Sequence, residues 1–270
     1  MRSSITQILP ICALCLVVLG CQTAEPRQSM SPGVPAGAPN VADIIASLQT
    51  NDTALSNFRA AGTLTLESPK LKSIQRFPSG IVAYRRPADL YVVGKNALGA
   101  TLFKLTSRDA EFLIEFPAVS NTDDRYYYSF EGEQFADVPF SVLPADVARE
   151  MFMPVDWDTV TQDSARLTGY DPQSGEATIE IDLSHGLTRK LTVRGEPWVI
   201  VGNVLRNSDG SPLSETRLSD FTENNGVRFP ARSEAWFPIE RTRLSFDLRN
   251  IRINTELDAA LFNITWRPGQ

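Results

Sequence analysis

Short runs of alternating apolar and polar residues occupy most of the chain from Gly62 to Ile253. Alternation puts successive side chains on opposite faces of a β-strand, so each run presents one apolar face. The runs are 62–67, 81–86, 90–93, 101–106, 110–116 and 125–130, then 166–170, 177–183, 187–194, 198–206, 215–222, 229–237 and 242–253. Because turn residues rather than helices separate the runs within each group, the pattern predicts antiparallel hairpins joined into a meander.

Two stretches have helical spacing instead. The first starts after Asn40, a favourable N-cap, and is predicted to run to about Thr50 and to pack against the sheet. Its apolar face consists of Val41, Ile44, Ile45 and Leu48.

The second helical stretch lies in an insert at 131–161 that interrupts the strands. Pro144 suits the first turn of a helix through about Phe152, and Pro154 ends it. The insert is rich in apolar residues, Phe140 among them. It either packs into the core or forms a lid over the open face of the sheet.

The sequence predicts a mainly β protein with helices, of the α+β class. We expect about ten to twelve strands, and a single sheet of that size must curl rather than stay flat. The predicted architecture is a strongly curved antiparallel sheet, or half-open β-barrel, with a helical lid.

The first residues have the layout of a secretory signal peptide. Arg2 precedes an uncharged apolar run from Ile5 to Leu19, which is too short to cross a membrane comfortably. Gly20-Cys21 follows and resembles a bacterial lipobox, although an ordinary signal peptide that contains a cysteine is the alternative. We therefore predict a lipoprotein signal peptide at 1–20, a lipidated Cys21 with a flexible Pro/Ser/Gly-rich tether at 21–39, and one folded domain at 40–270.

Charge and cysteine content narrow the function. The formal net charge is −6, and removing residues 1–20 takes away one arginine, which leaves −7. An acidic chain argues against nucleic acid as a partner and against electrostatic docking on anionic lipid. Cys12 and Cys15 would leave with the signal peptide, so the mature domain would have no disulfide.

The residues suggest no catalyst. The single histidine, His185, lies in a predicted turn, and no motif for zinc hydrolysis, a serine nucleophile or phosphate binding occurs. Glu180 and Asp182 belong to the wet face of one strand, and Asp123-Asp124 lacks further ligands for a metal. We predict neither enzymatic activity, nor a cofactor, nor a metal site.

A curved sheet covered by helices can enclose an apolar cavity. Alternation and the insert together give fourteen candidate inward residues: Leu64, Leu66, Leu90, Val92, Leu102, Phe112, Ile114, Phe140, Met151, Phe152, Ile179, Ile181, Phe246 and Leu248. The pattern alone does not decide whether these residues fill a packed core or line an acyl-chain cavity.

Several short motifs, in order along the chain, resemble one known family. They are Arg59-Ala60-Ala61-Gly62-Thr63-Leu64, Asp89-Leu90-Tyr91, Asn96-Ala97-Leu98-Gly99-Ala100-Thr101, Pro139-Phe140, Phe152-Met153-Pro154, Pro230-Ala231, Arg243-Leu244 and Asn250. They are similar to segments of LolB, the outer-membrane receptor of lipoprotein localisation. Ala97 replaces a proline of that family's hairpin, and Leu257, Leu261 and Phe262 resemble a terminal element of the wider LolA-like superfamily.

The resemblance implies a half-barrel that binds the acyl chains of lipoproteins or lipids. It also implies that the hairpin of Asn96, Leu98 and Gly99 carries a membrane-inserting leucine, unless Leu98 tucks back against the sheet. A periplasmic lipoprotein carrier would be a partner, the chain would be a monomer, and its N-terminal lipid would hold it on the periplasmic face of the outer membrane. Alternatives are a lipid- or protein-sensing module and a structural lipoprotein with a filled core.

Overall fold

One sheet of thirteen antiparallel strands forms the frame of the structure, a computed structural model that describes residues 37–109, 111–121, 125–130 and 144–267. The strands are β1 Asn57–Glu67, β2 Gln75–Arg85, β3 Asp89–Lys95, β4 Thr101–Arg108, β5 Glu111–Glu115, β6 Tyr126–Phe130, β7 Ala165–Asp171, β8 Glu176–Asp182, β9 Thr188–Arg194, β10 Val199–Arg206, β11 Pro212–Asn224, β12 Val227–Phe237 and β13 Thr242–Ile253. The helices are α1 Val41–Thr53 and α2 Pro144–Phe152. The predicted fold class is confirmed, while the predicted strand count of ten to twelve was too low.

The order of the strands shows how the chain builds the sheet. The chain enters at β1, in the middle, and winds outward to β6 at one edge. It then crosses to β7 at the opposite edge and winds back until β13 pairs with β1. Since β6 and β7 do not pair, the sheet is curved but not closed. The crossing between them contains α2.

Helix α1 covers one half of the sheet. Its Asn40 cap accepts a hydrogen bond from the backbone N–H of Ala42 at 2.8 Å, as its sequence predicts. Ile44 and Leu48 are buried in a core formed with β7–β10. The helix continues three residues beyond its predicted end.

Helix α2 lies over the middle of the sheet, with its apolar side buried. Phe152 packs against Phe58, with ring centroids 4.9 Å apart, and against Phe246 at 5.7 Å. Val147, Ala148 and Met151 belong to the same core. Phe140, the predicted signal peptide with Cys21, and most of the predicted tether lie outside the described residues.

A buried polar cluster joins the other side of α2 to the sheet. Glu150 accepts two hydrogen bonds of 2.9 Å from Arg189 of β9 and bonds of 2.8 Å from Asn203 and Ser214. All four residues are at most 4% exposed. Burial alone would raise the pKa of Glu150, but the bonds and charge of Arg189, with the bonds from Ser214 and Asn203, hold it below its usual range.

The chain after β13 returns to the outside of the β3–β6 half. Phe262 is fully buried there, and the Arg85 guanidinium lies 4.6 Å from its ring centroid. Arg267 pairs with Glu111 at 2.7 Å. Within the part of the chain that the structure describes, no helix is long and apolar enough to span a bilayer.

Replacing Glu150 with alanine should lower the free energy of unfolding by about 3–5 kcal/mol, because Arg189 would remain buried without a counter-charge. Equilibrium urea unfolding measures the change. The double substitution Glu150→Met/Arg189→Met should cost clearly less than Glu150→Ala, since it removes both charges.

Arg149→Ala on the same helix is the matched control. Arg149 is exposed and pairs with Asp146 at 3.5 Å, so its loss should cost less than about 1 kcal/mol. Equal losses for Glu150→Ala and Arg149→Ala would mean that the buried cluster does not hold α2 in place.

Candidate functional site

An apolar cavity lies between the first turn of α2 and the concave face of the sheet. It contains about 750 Å³ of empty space, including the part that opens to solvent. Its lining comes from β1–β5, β13 and α2: Leu64, Thr65, Leu66, Phe77, Leu90, Val92, Phe103, Leu105, Phe112, Ile114, Pro144, Val147, Thr242, Leu244, Ser245 and Phe246.

Strand alternation places most of this lining. Leu64 and Leu66 lie two residues apart on β1, and Leu244 and Phe246 pair with them across β13. Leu90 and Val92 of β3 and Phe112 and Ile114 of β5 repeat the same spacing. Among the described residues of the lining, Thr65, Thr242 and Ser245 provide hydroxyl groups and none has a charged side chain.

Two glycines allow large side chains to lie close to the sheet beside the cavity. A Cβ on Gly94 would be 2.1 Å from the ring of Phe103, and a Cβ on Gly80 would be 2.9 Å from the side chain of Leu64. The Phe103 ring makes an edge-to-face contact with Phe77 at 4.8 Å. Glycine at position 94 thus keeps the Phe103 ring against the backbone.

Seven of the fourteen candidate inward residues line the cavity: Leu64, Leu66, Leu90, Val92, Phe112, Ile114 and Phe246. Leu248, Met151 and Phe152 lie in the adjoining packed core. Ile179 and Ile181 are buried beneath α1, in the separate core of the other half of the sheet. The β7–β10 half of the sheet therefore packs beneath α1, whereas the β1–β5 half borders the apolar cavity.

Leu102 was expected to point inward, and this expectation is wrong. The pairing of β3 with β4 skips Leu102, because Lys95 pairs with Thr101 while Gly94 pairs with Phe103. At this β-bulge Leu102 has no partner on β3. Phe103 and Leu105, two residues apart on β4, both line the cavity, so ordinary alternation places Leu102 on the other face, where it is 36% exposed.

The sequence reasoning missed several lining residues. Phe77 lies outside the predicted strand at 81–86, because β2 begins six residues earlier, at Gln75. Leu244 has the same parity as Phe246, and that alternation could have identified it. The buried Arg189, outside the cavity, was also missed. It lies two residues before Leu191 and four before Val193 on β9, so alternation could have placed it on the buried face.

The hairpin between β3 and β4 projects Leu98 into solvent, where the side chain is 94% exposed. The Asn96 side chain accepts hydrogen bonds of 3.0 Å from the backbone N–H groups of Leu98 and Ala100. Gly99 has a φ of +83°, a conformation that glycine adopts without strain. Asn96 and Gly99 therefore hold Leu98 at the tip of an ordered turn.

The polar residues considered for catalysis are dispersed. His185 is exposed in the turn between β8 and β9, and Glu180 and Asp182 both pair with Arg166 at the surface. Over residues 37–109, 111–121, 125–130 and 144–267, no group of three or more His, Cys, Asp or Glu side chains is placed to hold a metal.

Among the comparisons with known proteins, the one with solved structures found matches. The sequence matches no protein-family model and no curated protein. A DUF1329 family protein from Desulfovibrio piger has a TM-score of 0.57 and 14% identity, over 82% of this chain and 95% of its own. A LolA superfamily protein from Nitrosomonas europaea has a TM-score of 0.53 and 13% identity, over 84% and 98%. The chain therefore has a LolA/LolB-like fold, which confirms the resemblance seen in the sequence at the level of the fold.

Proposed function

We propose that the protein is a non-enzymatic lipoprotein of the cell envelope that binds acyl chains of a lipoprotein or lipid. The observation that carries this proposal is the apolar cavity of about 750 Å³ beneath the first turn of α2. Its function would be to localise or insert lipoproteins at the outer membrane. The LolA superfamily neighbour supports the proposal through its fold.

The chemistry of the cavity suits an acyl chain. The described part of its walls consists mainly of leucine, phenylalanine, valine and isoleucine side chains, with three hydroxyl residues and no charged one. Each methylene moved from water into such a site contributes about 0.8 kcal/mol, so a long chain needs no specific polar contact. Filling the cavity would also restore dispersion contacts that the empty space lacks.

The membrane location rests on the sequence. Cys21 follows an apolar run and a glycine, as in a bacterial lipobox, and would carry the lipid anchor. The tether at 21–39 would let the domain move relative to the bilayer. With this anchor on the periplasmic face of the outer membrane, the domain would receive cargo from a periplasmic lipoprotein carrier, and Leu98 would enter the bilayer to help release it.

Replacing Phe112 with aspartate should weaken binding of a fluorescent fatty acid at least tenfold, because a carboxylate would face the apolar cavity. The chain from residue 22 to residue 270 suits this titration, since all thirteen strands and both helices lie within it. Phe130→Asp on the neighbouring strand is the matched control, because Phe130 is 53% exposed and lies outside the cavity lining.

The control should bind the fatty acid within twofold of the unmodified chain, and urea unfolding should show that the Phe112 variant is folded. A chain that purifies without lipid and ignores the fatty acid would contradict the proposal and favour a structural lipoprotein with a filled core.

Gly94→Ala should narrow the cavity without changing its polarity. The added methyl group would displace the Phe103 ring from the backbone into the cavity, so we expect a loss of about 1–3 kcal/mol in the free energy of unfolding. Fatty-acid affinity should fall severalfold in the same titration.

Gly169→Ala provides the control, because its methyl group would meet only the Thr178 side chain, at an ordinary 3.7 Å. This variant should keep both affinity and stability. Fatty-acid binding that is unaffected by Gly94→Ala would show that the acyl chain lies elsewhere.

Leu98→Glu should slow the transfer of a preloaded fluorescent fatty acid to lipid vesicles at least fivefold, with its affinity for the protein unchanged within twofold. Leu98 is not part of the cavity lining, and a charged tip would be costly to insert into a bilayer. Leu98→Met should retain normal transfer. An equal transfer rate for Leu98→Glu would remove this residue from the mechanism.

A further inference from the structure

Large hydrophobic side chains are exposed mainly at one end of the sheet. Among the described residues five are exposed, namely Ile74 (59%), Leu98 (94%), Leu102 (36%), Phe130 (53%) and Ile239 (70%). All except Phe130 lie in or beside three turns, β1–β2, β3–β4 and β12–β13.

The pairing of the strands brings these turns to the same end. β4, β3, β2, β1, β13 and β12 are consecutive neighbours in the sheet. The last residues of β1 pair with the first residues of β2 and β13, and Phe237 at the end of β12 pairs with Thr242. The three turns therefore form one continuous edge, which we call the basic–apolar end.

This end is basic although the chain is acidic. The segments 67–76, 95–102 and 237–243 contain six basic residues, Lys70, Lys72, Arg76, Lys95, Arg241 and Arg243, and two acidic ones, Glu67 and Glu240. Lys72, Arg76, Arg241 and Arg243 are exposed. Across the described residues, no carboxylate lies within 4.0 Å of the charged nitrogens of these four.

The cavity reaches the same end. Leu66, next to the last residue of β1, and Thr242, the first residue of β13, both line it. Phe103, two residues into β4, completes this part of the lining. A surface that contacts the basic–apolar end would therefore lie beside the cavity.

We propose that the basic–apolar end is a docking surface for an anionic lipid bilayer. Ile74, Leu98 and Ile239 would enter the interface, and the lysine and arginine side chains around them would contact lipid phosphates. The proposal rests on the proposed membrane location of the domain but does not require that the cavity bind lipid. It gives the domain an orientation in which the cavity faces the membrane.

Charge complementarity favours an anionic partner, and the arrangement of the hydrophobic side chains favours a bilayer over an acidic protein such as a second copy of the chain. Isolated isoleucines from separate turns provide points of insertion rather than the continuous apolar area of a stable protein interface. Each lysine or arginine near an anionic bilayer strengthens binding roughly fivefold, so the local cluster can outweigh the net charge of −7, which taken alone argues against docking on anionic lipid. The acidic residues elsewhere on the domain lie farther from the bilayer, and 0.1 M salt screens charges beyond about 10 Å.

Co-sedimentation with vesicles tests the proposal, with the chain from residue 22 to residue 270 so that no anchor contributes. We expect it to bind vesicles of phosphatidylcholine with 30% phosphatidylglycerol at least tenfold more tightly than pure phosphatidylcholine, and to dissociate at high salt. Lys72→Glu/Arg241→Glu should reduce binding to the anionic vesicles at least tenfold. Ile74→Ser/Ile239→Ser should reduce it severalfold and leave its salt dependence unchanged.

Arg59→Glu/Arg252→Glu is the matched charge control, since these exposed arginines pair with each other across β1 and β13 near the opposite end and the substitution changes the net charge equally. Phe130→Ser is the apolar control, and both controls should bind within twofold of the unmodified chain. Equal losses in the two charge variants, or no preference for anionic vesicles, would overturn the proposal. The docking variants should still bind the fatty acid, so a failed docking surface is distinguishable from a failed cavity.

Discussion

The concave face of a single sheet must be covered, and this constraint shapes the rest of the molecule. A thirteen-stranded sheet has an apolar inner face, and the residues that the structure describes form no second sheet to bury it. Helix α1 covers the β7–β10 half, where Ile179, Ile181 and Leu191 are fully buried. Over the β1–β5 half, the cover that the described residues provide is the first turn of α2, and the cavity lies beneath it.

The position of α2 depends on contacts of two kinds. Its apolar side fits among the aromatic rings of Phe58, Phe229 and Phe246, where packing alone would tolerate small shifts. Glu150 removes that freedom, because a carboxylate that accepts four hydrogen bonds from three strands has one satisfactory position. The buried ion pair therefore contributes specificity of position, whatever its net contribution to stability.

The sequence predicted the strands, the helices and the curved sheet because these depend on local patterns. The alternation of Leu64 with Leu66 and the cap at Asn40 are signals within a few residues. Leu102 was misplaced because the apolar residues of β4 belong to both faces of the strand, Leu102 to one and Phe103 and Leu105 to the other, and the run alone does not show which face turns inward. The partner of Glu150 could not be predicted, since Arg189 is 39 residues away and only the completed sheet brings the two together. Whether apolar residues fill a core or line a cavity depends on how the helices cover them, which alternation does not encode.

The two ends of α2 have different surroundings. Glu150, in the last turn of α2, is fixed to β9, β10 and β11, whereas Pro144 and Val147, in its first two turns, border the cavity. Ligand entry could therefore displace the cavity lining near Pro144 without breaking the buried ion pair, which would cost several kcal/mol. The basic–apolar end lies on this same open half, around Leu98 and Ile239. The end of α2 that the buried ion pair fixes and the end that borders the cavity thus face different halves of the sheet.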